Sequence, residues 1–231
     1  GRKNLFGQPV KLVEMQSEAG AIGAVHGASE AGSLCSTFTA SQGLMLMIPV
    51  LHRLSGQLKP VVLHIAARTV GTHTMSIFGD HSDVMGCRNT GFAMLCSAGV
   101  QECADLAAVA HLSTIKGHVP FMHFFDGFRT SHEIQKIHTV PEEELKKLID
   151  EEALYEFKHK GLNPEHPVMR STVTNPDMYF QSKEASNIWY DRLPQIVDEY
   201  MQQINTLTGR NYKLFNYYGA EDAEDILIGM G

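Results

Sequence analysis

The residues best placed to do chemistry are a carboxylate and a guanidinium. Glu18 falls between the short apolar run Lys11–Met15 and the start of a glycine-rich helical stretch. An acidic group there complements the positive end of a helix dipole. In a dry pocket it acts differently: desolvation raises its pKa while the helix end lowers it, and a carboxyl so balanced shares a proton with a heterocycle nitrogen. Glu14 competes for that role. It falls inside the expected strand, so it points along a sheet face rather than out of the strand's carboxyl end, where open α/β sheets bind ligands. Arg68 follows Val61-Val-Leu-His-Ile-Ala-Ala, which puts it at the carboxyl end of an expected central strand. Its fork of donors suits a carboxylate, either of a substrate or of an internal partner that holds the next loop.

The other polar clusters read as structure. Asp80, His81 and Asp83 in Phe78-Gly-Asp-His-Ser-Asp-Val are types that ligate cations, but Ser82 or Asp83 at a helix start more often satisfies orphan N–H groups. His111, His118, His123 and His132 show neither H-x-x-x-H nor H-E-x-x-H order and read as core or loop residues. Asp126, Arg129 and Thr130 follow a buried run at the same edge as Arg68 and are read as structural. Ser41, in Ala40-Ser41-Gln42-Gly43, lacks the second flanking glycine of a nucleophile elbow and reads as a helix cap. No G-K-[ST] phosphate loop occurs. Cys35, Cys87, Cys96 and Cys103 have no C-x-x-C spacing, so they read as buried thiols rather than a disulfide, zinc or iron–sulfur framework.

Positioning Glu18 and Arg68 at one edge requires a parallel sheet. From about residue 10 to 125, short β-rich runs alternate with longer Ala/Gly-rich or amphipathic stretches, the pattern of repeated βαβ units. The fold class is therefore α/β, a parallel-sheet three-layer fold with a helical and extended C-terminal extension. Strands are expected at Lys11–Met15, Cys35–Thr39, Pro60–Ala66, Gly91–Cys96 and Val119–Phe124. Helices are expected at Glu18–Gly32, Ser41–Leu54, Asp83–Arg88 and Val100–Lys116. Glycines in the first helix cost stability relative to alanine, which points to a crowded position beside a site or a subunit interface.

After Ile137 the character changes. Pro141 opens an acidic helix, residues 161–180 read as an extended arm, and a helix covers Asn187–Leu207, interrupted or begun at Pro194. The expected organisation is a core over 1–140, a helical and extended arm over 141–210, and a linker over 211–231 that ends in Ile226-Leu-Ile, the first strand of a following domain. A net charge of −7 offers no basic footprint for nucleic acid. No apolar run is long enough to span a bilayer, and no signal sequence is visible. The polar opening at Gly1 suggests that a native N-terminus and any targeting peptide lie outside the sequence.

Four stretches together carry a resemblance: Gln16-Ser-Glu-Ala-Gly-Ala-Ile-Gly-Ala-Val-His-Gly-Ala, Thr37-Phe-Thr-Ala-Ser-Gln-Gly-Leu-Met-Leu-Met-Ile-Pro, Ser76-Ile-Phe-Gly-Asp-His-Ser-Asp-Val, and Val119 through Ile137. With Asn163-Pro-Glu-His-Pro, Asn175-Pro-Asp, Leu207-Thr-Gly-Arg and the final Ile-Gly-Met-Gly, the chain resembles the pyruvate:ferredoxin (flavodoxin) oxidoreductase family, in its N-terminal domain that binds the pyrimidine of thiamine diphosphate. The resemblance implies a large, usually homodimeric enzyme that decarboxylates pyruvate, passes electrons through iron–sulfur clusters to ferredoxin or flavodoxin, and forms acetyl-CoA from coenzyme A. By position in the motif, Glu18 corresponds to the glutamate that bonds the pyrimidine ring nitrogen and promotes its imino tautomer. Arg68 corresponds to the arginine that binds the pyruvate carboxylate.

The resemblance implies that the family's Tyr-Pro-Ile-Thr-Pro motif, with the domain's first strand and helix, is to be expected upstream of Gly1. The magnesium and diphosphate site and the cluster cysteines are expected in other domains of the same polypeptide, so turnover by this chain alone is not expected. The implied compartment is the cytoplasm, or the matrix of a mitochondrion-related organelle. Two alternatives stay open: a non-catalytic module of a related sulfite reductase flavoprotein subunit, which the presence of both Glu18 and Arg68 disfavours, and an NADP-linked fused form.

Overall fold

The computed structural model describes residues 3–170 and 172–230. Helix α1 (Glu18–Glu30) leads into strand β1 (Cys35–Thr39), helix α2 (Ser41–Gly56), strand β2 (Val61–Ala67) and the short helix α3 (Ser82–Gly86). A turn of 3₁₀ helix at Arg88–Thr90 precedes β3 (Ala93–Ser97), α4 (Val100–Gly117) and β4 (Phe121–Asp126). Helices α5 (Arg129–His132), α6 (Glu142–Lys147), α7 (Glu151–His159), α8 (Pro176–Ala185) and α9 (Asn187–Thr208) complete the chain.

The strands form one sheet in the order β1-β2-β4-β3, and every neighbouring pair is parallel. Because parallel strands need crossovers, helices fall on both faces. Central β2 is apolar nearly throughout. Leu63 and Ile65 pack with Ile22 of α1, Leu44 and Leu51 of α2, and Phe124 of β4. Val62 faces the other way, toward Phe121, Val109 of α4 and Val197 of α9. Leu63, Ile65 and Phe124 are each 0% exposed, so each contributes about 1.5–3 kcal/mol by burial. In α9 the residues Leu193, Val197, Tyr200, Met201 and Ile204 form the buried stripe of an amphipathic helix. Residues 187–208 thus share a core with β2 and β4, and Pro194 lies inside α9 without interrupting it.

Three expected elements differ. Lys11–Met15 forms no strand, and Val10, Leu12 and Val13 lie 71%, 82% and 53% exposed. An alternating apolar run becomes a strand only where a sheet edge offers it a ladder, and among the described residues none pairs with this one. The arm expected over 161–180 contains α8, which starts at Pro176, a position where the missing N–H costs nothing. Ile226–Ile228 is likewise exposed and unpaired in any strand. A Cβ added at Gly23 or Gly27 of α1 would meet nothing within 4 Å, whereas one at Gly32, just past the helix, would stand 2.9 Å from the Lys158 carbonyl oxygen, so the crowding expected of this glycine-rich stretch is found at its C-terminal end.

Candidate active site

Parallel strands end at one edge, and that edge gathers the residues singled out from sequence. Ser17 caps α1, its Oγ accepting the Gly20 N–H at 3.3 Å, which sets Glu18 in the first helical turn. Helix α1 runs back toward the start of β1, so its N-terminus stands at the carboxyl edge. There the Glu18 side chain lies over Gly43, in the first turn of α2. A Cβ at Gly43 would stand 2.6 Å from Glu18 Cγ and 2.7 Å from Oε1. The bare backbone of Gly43 is therefore what gives the carboxylate its place.

Arg68 follows the last residue of β2 and is half-buried. Its Nε donates to the Gly127 carbonyl at 2.8 Å, just beyond β4, and a Cβ at Gly127 would stand 2.5 Å from Arg68 Cγ. The guanidinium is thus anchored on its stem side. No acceptor among the described residues engages the Nη groups, which leaves the outer fork available.

Asp83 joins these two arms, a role that sequence reasoning missed. The residue is 0% exposed, and its Oδ2 accepts the Ser41 N–H at 2.8 Å and the Arg68 N–H at 3.0 Å. Its Oδ1 accepts the Val84 N–H at 2.7 Å. Burial pushes its carboxyl pKa up, and the backbone N–H groups oppose that push. Asp83 therefore caps α2 from across the sheet edge and fixes the backbone that bears Arg68.

Ser41, expected to cap α2 itself, instead stands inside it at φ +50°, with its Oγ donating to the Thr69 carbonyl at 2.7 Å. That left-handed conformation is held because both its N–H and its hydroxyl are engaged. Ser82 does not cap α3 either, since its Oγ accepts the Val70 N–H at 3.0 Å. Among the described residues no group of three or more His, Cys, Asp or Glu side chains is placed to hold a metal ion.

Asp83 thus ties the backbone of Arg68 to the start of α2, and Glu18 lies against Gly43 of the same helix start. Glu18 is nevertheless exposed, unlike the dry pocket foreseen for it, because no described element covers this edge. Glu14 lies in the irregular exposed segment before α1. Asp126 accepts the N–H groups of Phe128 and Arg129, the structural role expected of it.

Sequence spacing gave no sign of a second feature, a row of imidazoles behind this edge. His64 Nδ1 lies 3.0 Å from His123 Nδ1, His64 Nε2 lies 3.2 Å from His111 Nε2, and His123 Nε2 lies 2.8 Å from Ser97 Oγ. Burial pushes His111 down to about 4 and His123 to about 3, so both are neutral at pH 7. All four cysteines are free, and burial pushes the thiols of Cys87, Cys96 and Cys103 up to about 11. No helix among the described residues is long and apolar enough to cross a membrane.

Residues 2–202 match the family described as pyruvate flavodoxin/ferredoxin oxidoreductase, thiamine diphosphate-binding. The chain belongs to that family. Over its whole length it is 59% identical to a pyruvate-flavodoxin oxidoreductase of Klebsiella pneumoniae and 59% identical to a pyruvate:ferredoxin oxidoreductase of Moorella thermoacetica, and it spans 20% of each. It is 52% identical to a mitochondrial pyruvate dehydrogenase [NADP(+)] of Euglena gracilis, of which it spans 13%.

Among solved structures, the 2-oxoglutarate:ferredoxin oxidoreductase of Magnetococcus marinus, with 2-oxoglutarate, coenzyme A and succinyl-CoA bound, matches 94% of the chain and 40% of its own. The TM-score is 0.52 at 17% identity, a likeness of fold. The parallel α/β architecture expected from the sequence is the one observed.

Proposed function

We propose that this chain supplies the pyrimidine-side half of a thiamine diphosphate site in an enzyme that oxidatively decarboxylates pyruvate to acetyl-CoA. The observation that supports it most is the placement of both groups about the start of α2, with Glu18 over Gly43 and the Arg68 backbone tied to Ser41 through Asp83. Cofactor and substrate need to meet within a few ångströms, and two groups placed about the same helix start suit such a geometry. The edge suits the pyrimidine end of the cofactor: it offers an accessible carboxylate over a glycine and a guanidinium with its outer donors open. Magnesium, the diphosphate cradle and the iron–sulfur clusters are assigned to other domains of a longer, homodimeric polypeptide.

When bound, thiamine diphosphate supplies the nucleophilic carbon and the electron sink that loss of CO2 requires. Glu18 accepts and returns a proton at the pyrimidine ring nitrogen, and the α1 N-terminus stabilises its anionic form. The Arg68 fork binds the pyruvate carboxylate and orients the oxo carbon. The neighbouring domains exclude water from Glu18, which lowers the local dielectric and strengthens its bond to the ring nitrogen.

Electrons then pass to ferredoxin or flavodoxin, and the enzyme works in the cytoplasm. The identity to the Euglena gracilis protein supports a second reading, an NADP-linked form in an organelle matrix. The test uses an active enzyme that contains this chain, supplied with pyruvate, coenzyme A and each acceptor in turn. Arg68→Ala should raise KM for pyruvate by about tenfold or more, the worth of a charged hydrogen bond. An unchanged pyruvate dependence removes the role of Arg68, and turnover independent of thiamine diphosphate removes the whole reading.

A further inference from the structure

A cavity lies at the opposite end of the sheet. Leu58 and Lys59 immediately precede β2 and His118 precedes β4, so the cavity opens at the amino edge, away from Glu18 and Arg68. It measures about 140 Å³, and its polar lining includes Lys59, His118, Lys160 and Arg170, with Leu58 and Phe157 as apolar walls. No carboxylate is among the described residues that line it.

The acidic group that holds these cations stands behind the wall. Glu30 is 8% exposed, with Oε2 2.7 Å from Arg170 Nη1 and Oε1 3.3 Å from Lys59 Nζ. Two cations thus share one buried carboxylate. Glu30 Oε1 has no hydrogen-bond partner among the described residues, so Lys59 meets it as an ion pair rather than as a directed bond. The Lys59 side chain is only 8% exposed, and its ammonium, with three N–H bonds, retains donors. Arg170 spends one Nη on Glu30 and the other on the Lys160 carbonyl, and a guanidinium has five donors. Lys160 Nζ pairs with Glu156 at the surface, at 2.9 Å.

We propose that this cavity binds a phosphate-class oxyanion, either inorganic phosphate or the terminal phosphoryl group of a larger molecule whose remainder stays in solvent. Size sets the class, because the cavity is well below the roughly 300–1,000 Å³ that encloses a drug-sized ligand. Charge sets the sign: a buried ammonium and a guanidinium against one carboxylate leave one positive charge unmatched, in a site where screening is weak. Arginine and lysine together supply the fork and the point charge with which proteins hold phosphoryl oxygens.

The site has a built-in reporter. Trp189 is the single tryptophan of the chain, and the His118 ring packs edge-on against it with centroids 4.5 Å apart. An anion against His118 changes the field at that indole. Inorganic phosphate titrated into the chain at constant ionic strength should produce a saturable change in Trp189 fluorescence at millimolar concentration, with matching broadening of the ³¹P resonance.

Lys160→Gln, at a surface pair, should leave the fold intact, and Arg170→Gln, at a side chain 26% exposed, leaves Glu30 paired with Lys59, so thermal denaturation is run beside each titration. Arg170→Gln should weaken binding by about tenfold or more, as loss of a charged donor pair does. A phosphomonoester that binds more tightly than inorganic phosphate identifies the phosphoryl group of a larger molecule as the ligand, and the reverse order identifies the free ion. Both readouts flat in the unsubstituted chain, undiminished affinity in both variants, or acetate binding as tightly as phosphate would each overturn the assignment.

Discussion

Gly43→Ala separates the two things that Gly43 does. A Cβ there would meet Glu18 Cγ, Oε1 and Cδ at 2.6, 2.7 and 2.8 Å, whereas ordinary contact starts at 3.4 Å, so the carboxylate must retreat by about 0.6–0.8 Å (3.4 minus 2.8 and 3.4 minus 2.6). Glu18 is exposed and its side chain is flexible, so it can yield without disturbing the core. Meanwhile alanine favours the helix over glycine by up to about 1 kcal/mol. The folded state should thus be unharmed or slightly more stable. Catalysis should suffer, since a displacement near 1 Å at a reacting group costs on the order of 10²-fold. The assay pairs thermal denaturation with pyruvate turnover in an active enzyme that contains this chain. A fall in melting temperature together with full turnover would refute the reasoning, because it would mean that α2 yields and Glu18 stays.

Asp83→Asn keeps the volume but sets an amide N–H₂ against backbone N–H groups that now bond a carboxylate. A loss of about 2 kcal/mol follows for a buried unsatisfied donor, or about 4–8 °C in melting temperature for a chain of this size. Calorimetry showing no shift would contradict the tie between Ser41 and Arg68. Acid should destabilise the fold through the imidazole row. His111 and His123 titrate near 4 and 3 when folded but near 6.5 when unfolded, so between those values the unfolded chain binds more protons and stability falls as pH falls. Urea unfolding at pH 7.0 and 5.0 should differ by roughly 2 kcal/mol per buried imidazole; equal stabilities would show that the row is solvated.

The parallel sheet was legible because each βαβ unit prints both periodicities in sequence, and β1 is observed at the residues expected for it. Strand chemistry alone could not place Lys11–Met15, since pairing depends on what lies beside it and not on its own alternation. Glu18 and Arg68 were visible as residue types at element ends. What ties them was not: Asp83 looked like a cap or a metal ligand in its local string, and only the fold brings it 2.8 Å from Ser41, 42 residues earlier. His64, His111 and His123 come from β2, α4 and β4, so no local spacing could reveal their contact. α8, by contrast, had a readable signal in Asn175-Pro176, a helix start rather than a continuing arm.

Proton exchange at C2 of bound thiamine diphosphate, compared between Glu18 and Glu18→Gln in an active enzyme that contains this chain, bears most directly on the proposed role of the carboxylate. Glutamine preserves shape and removes the titratable group, so exchange should slow by about 10²–10⁴-fold, the usual contribution of a positioned acid–base group, with melting temperature unchanged. Exchange at the unsubstituted rate would show that the proton moves by another route and that Glu18 is an ordinary helix-start residue.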